Sequence, residues 1–182
     1  RGQALGVTYQ RPEEDRHNYS EPYLRARVIG ALGGRAAEEL VYGSRTTGSE
    51  SDLQQATELV RQMVTRWGMS DKVGPISLAP RGGGFLGEPE QMTFTGAKPY
   101  SEASAQLIDA EVQAILESCY AEGLELLSRH RLELDRLASA LLEHETLDEQ
   151  HILEVTGLGR APRLVAAPLQ ERLAAFSAEP AG

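Results

Sequence analysis

The stretch Thr46-Thr47-Gly48-Ser49-Glu50-Ser51-Asp52-Leu53-Gln54-Gln55-Ala56-Thr57-Glu58-Leu59-Val60-Arg61-Gln62-Met63-Val64-Thr65-Arg66-Trp67-Gly68 decides the fold class. Its apolar positions Leu53, Ala56, Val60, Met63, Val64 and Trp67 recur with the 3.6-residue period of a helix that buries one face, and Gly68 ends the pattern. Ser49 stands where an N-cap belongs. Asp52, three residues on, suits both a capping arrangement and the positive end of the helix dipole. The residues alone leave two readings of Asp52 open, an ordinary helix start and a functional carboxylate.

Toward the N-terminus, residues 35–41 read as helical and are closed by Gly43, while the pair Gly33-Gly34 is expected to interrupt the helix that precedes them. That earlier helix opens at Ser20, with Pro22 in its first turn, and runs through Leu24, Val28, Ile29 and Leu32. Residues 5–10 read as a short strand stopped by Pro12 and the charged run Glu13-Glu14-Asp15-Arg16.

Toward the C-terminus, residues 75–80 read as a short strand or extended segment, and residues 81–99, rich in Gly and Pro and without a period, as a long loop. Ser101 is expected to cap the longest helix, with Ile108, Val112, Ile115, Leu116, Cys119, Tyr120, Gly123, Leu126 and Leu127 on one face. A second amphipathic helix over 130–143 carries Leu134, Leu137, Leu141 and Leu142 and is expected to pack back on the first. Thr146-Leu147-Asp148-Glu149 fits a capping box opening a last short helix through Ile152, Leu153 and Val155. The sum is a mainly α domain over residues 1–157, with two or three short strands near its start. An Ala/Pro/Arg-rich tail fills residues 158–182, within which residues 169–176 have the composition of a short helix.

Composition narrows the function. The 182 residues carry a formal net charge of −9, and the only lysines are Lys72 and Lys98. Phosphate recognition needs a Lys/Arg patch, so nucleic acid is excluded as a partner. One cysteine, Cys119, excludes an internal disulfide framework and a thiolate zinc cluster, and its place on an apolar helix face marks it as a small hydrophobe. No run approaches the roughly 20 apolar residues of a membrane span. The chain opens on Arg1 rather than Met, inside what reads as a hairpin, and is expected to be a fragment of a longer protein.

Two motifs are decoys. Gly82-Gly83-Gly84-Phe85-Leu86-Gly87 has the spacing of a dinucleotide-binding loop, but Glu88-Pro89-Glu90 follows where a helix N-terminus should meet phosphate. His144-Glu145-Thr146-Leu147-Asp148 approaches H-E-x-x-H with its last ligand changed. That chemistry needs two histidines at i and i+4 on one continuous helix, and Thr146 reads as the start of a new one. No two of the four histidines (His17, His130, His144, His151) are four apart. No Ser-His-Asp set, Cys-His set or Walker loop is present.

Three stretches taken together are more informative: Ala4-Leu5-Gly6-Val7-Thr8 with Pro12-Glu13-Glu14-Asp15-Arg16, then Gly33-Gly34-Arg35-Ala36-Ala37-Glu38-Glu39-Leu40, then Thr46-Thr47-Gly48-Ser49-Glu50-Ser51-Asp52-Leu53. They resemble the peptidase domain of the FtsH family, and Arg66-Trp67-Gly68-Met69-Ser70-Asp71-Lys72-Val73-Gly74-Pro75 and Glu145-Thr146-Leu147-Asp148 are similar to its later segments. The resemblance covers residues 1–157 in order. It implies a membrane-anchored, ATP-dependent zinc endopeptidase that assembles as a homo-hexamer and degrades misfolded or regulatory polypeptides. The parent protein would place its soluble domain in the cytoplasm or the organelle equivalent.

In that family two histidines of an H-E-x-x-H helix and a downstream aspartate hold the zinc, and the glutamate of the helix is the general base. The aspartate corresponds to Asp52, although this chain has Ser51 where the family usually has Asn. Glu38 and Glu39 are rival candidates for the third ligand. The H-E-x-x-H helix is expected upstream of Arg1, as are the membrane segments and the ATPase module with its ATP and Mg. Residues Leu5, Gly6, Val7 and Thr8 are a candidate edge strand for an extended substrate, or an ordinary hairpin strand. The two long helices are expected to form core and subunit contacts.

Zinc hydrolysis needs three protein ligands, an open position for water and a base. The chain alone is therefore expected to be inactive. Two readings result: the C-terminal part of a zinc peptidase domain, or a non-catalytic helical interaction and oligomerisation module derived from one.

Overall fold

The computed structural model describes residues 19–78 and 100–159, all of whose regular structure is helical. The first helix, α1, spans Glu21–Tyr42, with Ser20 at its N-cap position in extended backbone and proline in the first turn. It does not break at Gly33-Gly34, as the sequence suggested, but runs through both glycines. Each glycine costs about 1 kcal/mol relative to alanine in a helix interior. The buried residues Leu24, Val28, Leu32 and Ala36 flank the pair at four-residue steps, so the packing of one continuous ridge outweighs that local cost. Gly43 ends α1 in the left-handed conformation, φ 65°, with its N–H donating to the Glu39 carbonyl at 2.9 Å.

A 3-10 turn, Thr47–Ser49, leads into α2, Glu50–Thr65. The expected stripe is buried in its middle, at Ala56, Val60, Met63 and Val64, and exposed at its ends, Leu53 and Trp67. After α2, a β-carbon on Gly68 (φ 63°) would stand 3.0 Å from the Pro75 Cα, so this turn closes only around glycine. The chain then runs back alongside the end of α2, where the Leu78 N–H donates to the Thr65 carbonyl at 2.7 Å. Residues 76–78 have no regular secondary structure, and no strand is present among the described residues. The proposed strand at 5–10, the loop at 81–99 and the tail beyond 159 lie outside the described residues.

The helix α3, Glu102–Arg129, opens at Ser101, whose hydroxyl accepts from the Ser104 N–H at 3.2 Å as expected. Ile108, Val112 and Cys119 join Leu24, Val28, Leu32, Ala56, Val60, Met63 and Val64 in one apolar cluster. Around that cluster polar links tie α3 to its neighbours. Arg25 donates to the Ser118 hydroxyl at 3.0 Å, and Arg61 pairs with Asp109 at 3.1 Å. A buried link is stronger: the Glu111 carboxylate accepts from the Ser70 hydroxyl at 2.9 Å and the Lys72 ammonium at 2.6 Å. It thus fastens the turn after α2 to α3.

The chain divides into two compact units, Arg1–Leu124 and Glu125–Gly182. In the second, α4 (Arg131–His144) packs against α5 (Glu149–Thr156). Leu142, expected on the apolar face of α4, is 87% exposed. Leu141, also expected there, is 43% exposed, and the buried residue of α4 is Ala140. The N-cap of α5 is Asp148, whose side chain accepts from the His151 N–H, rather than Thr146. The reason lies in the turn: Glu145 enters the left-handed region at φ 59° to close α4, and Thr146 is still inside that turn, its N–H on the His144 carbonyl.

Two predictions follow from the packing. Met63→Ala empties the centre of the core and is expected to lower unfolding free energy by about 2–5 kcal/mol, against roughly ±0.5 kcal/mol for Leu142→Ala, measured by urea denaturation. The second concerns Glu111, which the Lys72 ammonium, followed by the Ser70 hydroxyl, holds below the usual carboxylate range against the opposing effect of burial. A depressed folded-state value stabilises the fold above the unfolded-state value and is lost as pH falls through the folded one. The stability gap between the native chain and Glu111→Gln is expected to be constant from neutrality to about pH 5. It should shrink at lower pH, and a gap unchanged at pH 3 would contradict the assignment.

Candidate metal centre

The end of α1 and the start of α2 bring four acidic residues, Glu38, Glu39, Glu50 and Asp52, into one region of the chain by different local rules. Glu38 and Glu39 are neighbours near the C-terminus of α1, so they diverge by about a quarter turn and reach different partners. Glu38 takes Thr46: its Oε2 accepts from the Thr46 N–H at 3.0 Å and its Oε1 from the Thr46 hydroxyl at 2.8 Å. The same hydroxyl oxygen accepts from the Gly48 N–H at 3.2 Å, closing the 3-10 turn that precedes α2. Glu39 takes Arg45 and Tyr120. Its Oε2 accepts from Arg45 Nε at 2.7 Å and from the Tyr120 hydroxyl of α3 at 2.6 Å.

The charge state agrees with this geometry. Thr46, through its hydroxyl and then its amide, holds the Glu38 carboxyl below the usual range. The Tyr120 hydroxyl and then Arg45 do the same for Glu39, while burial, reinforced by Glu39, pushes the Tyr120 phenol up. Both glutamates are thus anions held by hydrogen-bond donors.

Asp52 lies in the first turn of α2 together with Glu50. It is exposed, and its carboxylate has no hydrogen bond or ion pair among the described residues. An acid is stabilising in the first turn of a helix, where amide N–H groups are unpaired. Ser49, expected to cap α2 through its side chain, makes no such bond; Thr46 caps the preceding 3-10 turn instead. Ser51 is engaged along the helix, its hydroxyl accepting from Gln55 at 3.2 Å.

The histidines lie elsewhere. His151 pairs with Asp148 at 2.9 Å, His130 with Glu133 at 3.8 Å, and His144 stands at the C-terminus of α4 beside Glu143. Because α4 stops at His144, the His144-Glu145-Thr146-Leu147-Asp148 segment does not lie on one helix, as expected. Cys119 is fully buried, and burial raises its thiol, in keeping with a role as a small hydrophobe. Among the described residues no group of three or more His, Cys, Asp or Glu is arranged to hold a metal. A protein zinc site takes at least three such ligands, and Asp52 offers one oxygen donor. The candidate substrate residues Leu5, Gly6, Val7 and Thr8 lie outside the described residues, as does His17. No helix among the described residues is long and apolar enough to cross a membrane.

Sequence reasoning missed the three residues that organise this region. Thr46 had a visible signal, since a threonine two residues before glycine is a common side-chain turn. Arg45 and Tyr120 had none, because Tyr120 meets Glu39 across 81 positions.

Comparison with known proteins gives this arrangement a context. Residues 1–155 match the model of peptidase family M41. The chain is 57% identical over 169 residues to the ATP-dependent zinc metalloprotease FtsH of Syntrophus aciditrophicus, covering 93% of this chain and 23% of that protein. It is 60% identical over 160 residues to the protein of the same name from Thermobaculum terrenum, covering 87% and 24%. With the Bacillus subtilis FtsH the identity is 40% over 164 residues, 89% and 25% of the two lengths. The chain therefore spans about a quarter of the length of the curated relatives it matches. By the family match across most of its length, the chain belongs to peptidase family M41, with the FtsH zinc metalloproteases among its relatives.

Proposed function

We propose that this chain is the part of an ATP-dependent zinc endopeptidase that supplies the third protein ligand to the metal through the Asp52 carboxylate. Two histidines and a general-base glutamate come from residues outside this chain. The observation that carries the reading is a contrast between neighbours. Glu38 and Glu39, the rival ligands, already have their oxygens taken by Thr46, Arg45 and Tyr120. Asp52 and Glu50, both in the first turn of α2, are exposed and have uncommitted carboxylates among the described residues, and of the two it is Asp52 that corresponds to the zinc-binding aspartate in the family resemblance. The names of the relatives support zinc, ATP dependence and peptide hydrolysis for the full-length protein.

Zinc, when bound, supplies Lewis-acid polarisation and a water acidic enough to react near neutral pH. This chain's own contribution is to hold one anionic oxygen donor at a fixed helix start. Polypeptide substrates, misfolded or regulatory, fit that chemistry, and residues 5–8 are the proposed edge along which an extended substrate pairs. ATP and Mg belong to a separate ATPase module, and a membrane-anchored homo-hexamer is the proposed assembly. Both follow from the family resemblance.

In the full-length protein, Asp52→Ala is expected to abolish casein hydrolysis and zinc retention while leaving ATP turnover within about twofold. A variant that still degrades casein would overturn the ligand assignment. Titration calorimetry on the 182-residue chain alone is expected to give no zinc binding tighter than about micromolar, because one carboxylate does not compete with water for the ion. Sub-micromolar binding by the isolated chain would show that it holds a site of its own.

A further inference from the structure

The first residue of α2 to be buried is Ala56, so residues 50–55, Asp52 among them, lie outside the apolar core. Residues 41–48 are exposed as well. Asp52 stands one helical turn before the buried Ala56, so its place depends on the first turn of α2 staying wound, and that turn is entered from an exposed loop. The tertiary restraints on this segment among the described residues are polar, and they converge on the two glutamates of α1. Glu38 holds Thr46 within its own local turn. Glu39 joins the segment to a different element, because the Tyr120 hydroxyl reaches it from α3.

The geometry points to Tyr120 and Arg45, joined through the Glu39 carboxylate, as positioning residues for Asp52. This inference rests on the reading of Asp52 as a metal ligand. Tyr120 is anchored, since it packs on the apolar cluster and follows the fully buried Cys119. Its hydroxyl, 2.6 Å from Glu39 Oε2, fixes the orientation of that carboxylate. Alone, an Arg45–Glu39 pair with Arg45 58% exposed would be mobile and worth little. With the carboxylate already oriented from α3, Arg45 docks on a preset acceptor at 2.7 Å, and the loop is held seven residues before Asp52. The link thus extends the rigidity of the core to a segment, residues 42–55, that contributes no residue to the apolar cluster.

The test uses the full-length protein and two readouts, zinc affinity by competition with a chromophoric chelator and amide hydrogen exchange over residues 44–52. Tyr120→Phe removes only the hydroxyl. It is expected to speed exchange in that segment and weaken zinc binding about tenfold, the low end for partners that orient a ligand, with melting temperature and ATP turnover unchanged. Arg45→Lys, at an exposed position, is expected to do the same. The double variant should be no worse than either single one, because both break one chain of contacts. Native zinc affinity in Tyr120→Phe or Arg45→Lys, or zinc losses that add in the double variant, would overturn the inference. Asp52→Asn separates the two levels. If it loses zinc while Tyr120→Phe keeps it, only the positioning role fails; if Asp52→Asn keeps zinc, the ligand reading fails and the inference with it.

Discussion

The removal of one face of α2 from water is the constraint on which the first unit depends. Val60, Met63 and Val64 have no exposed surface, and they meet the α1 ridge at Val28 and the α3 face at Ile108. Fully burying side chains of this size contributes about 1.5–3 kcal/mol each, which is what holds α1 helical through two consecutive glycines. Everything polar in the unit is arranged around that contact. Glu111 ties down the turn that leaves α2, and Glu38 and Glu39 tie down the turn that enters it.

The two ends of α2 are held by the same means, charge-assisted hydrogen bonds to carboxylates on neighbouring helices, but in different surroundings. Glu111 is buried, and its partners Ser70 and Lys72 close over it, so the turn after α2 belongs to the folded core. Glu38 and Glu39 sit at the surface, where such bonds are individually weak and depend on being preset. The proposed metal ligand at the entering end can thus be supported without being buried. An exposed carboxylate at a helix start is open to an ion and to ligands from another part of the polypeptide. A buried one would have to be desolvated and paired within this chain.

Most of the helical fold was legible in the chain's own pattern. The period of Ala56, Val60, Met63 and Val64 marked the buried face of α2, and Ser101 marked the start of α3. Where the reading failed, local signals had competed with longer-range packing or with each other. Gly33-Gly34 reads as a break because glycine is a poor helix former, yet a ridge packed on both sides of it carries the helix through. Thr146 and Asp148 both have cap chemistry, and the left-handed Glu145 decides between them by setting where the next extended residue falls. Leu141 and Leu142 both read as apolar surface to be covered and are exposed, while Ala140 beside them is the buried residue of α4.

Sequence by itself determined the family, the mainly helical class, the position of Asp52 at a helix start and the lack of two histidines four apart, since each is a matter of residue type and spacing along the chain. Tertiary structure decided which of the three candidate carboxylates is uncommitted. Glu38, Glu39 and Asp52 are chemically alike in sequence, and what separates them is which donors the fold brings to each. The Thr46 turn takes Glu38, and Arg45 with a tyrosine 81 positions away takes Glu39. A hydrogen bond across that span leaves no period and no motif in the chain, because it depends on the packing of α3 against α1 rather than on the order of residues.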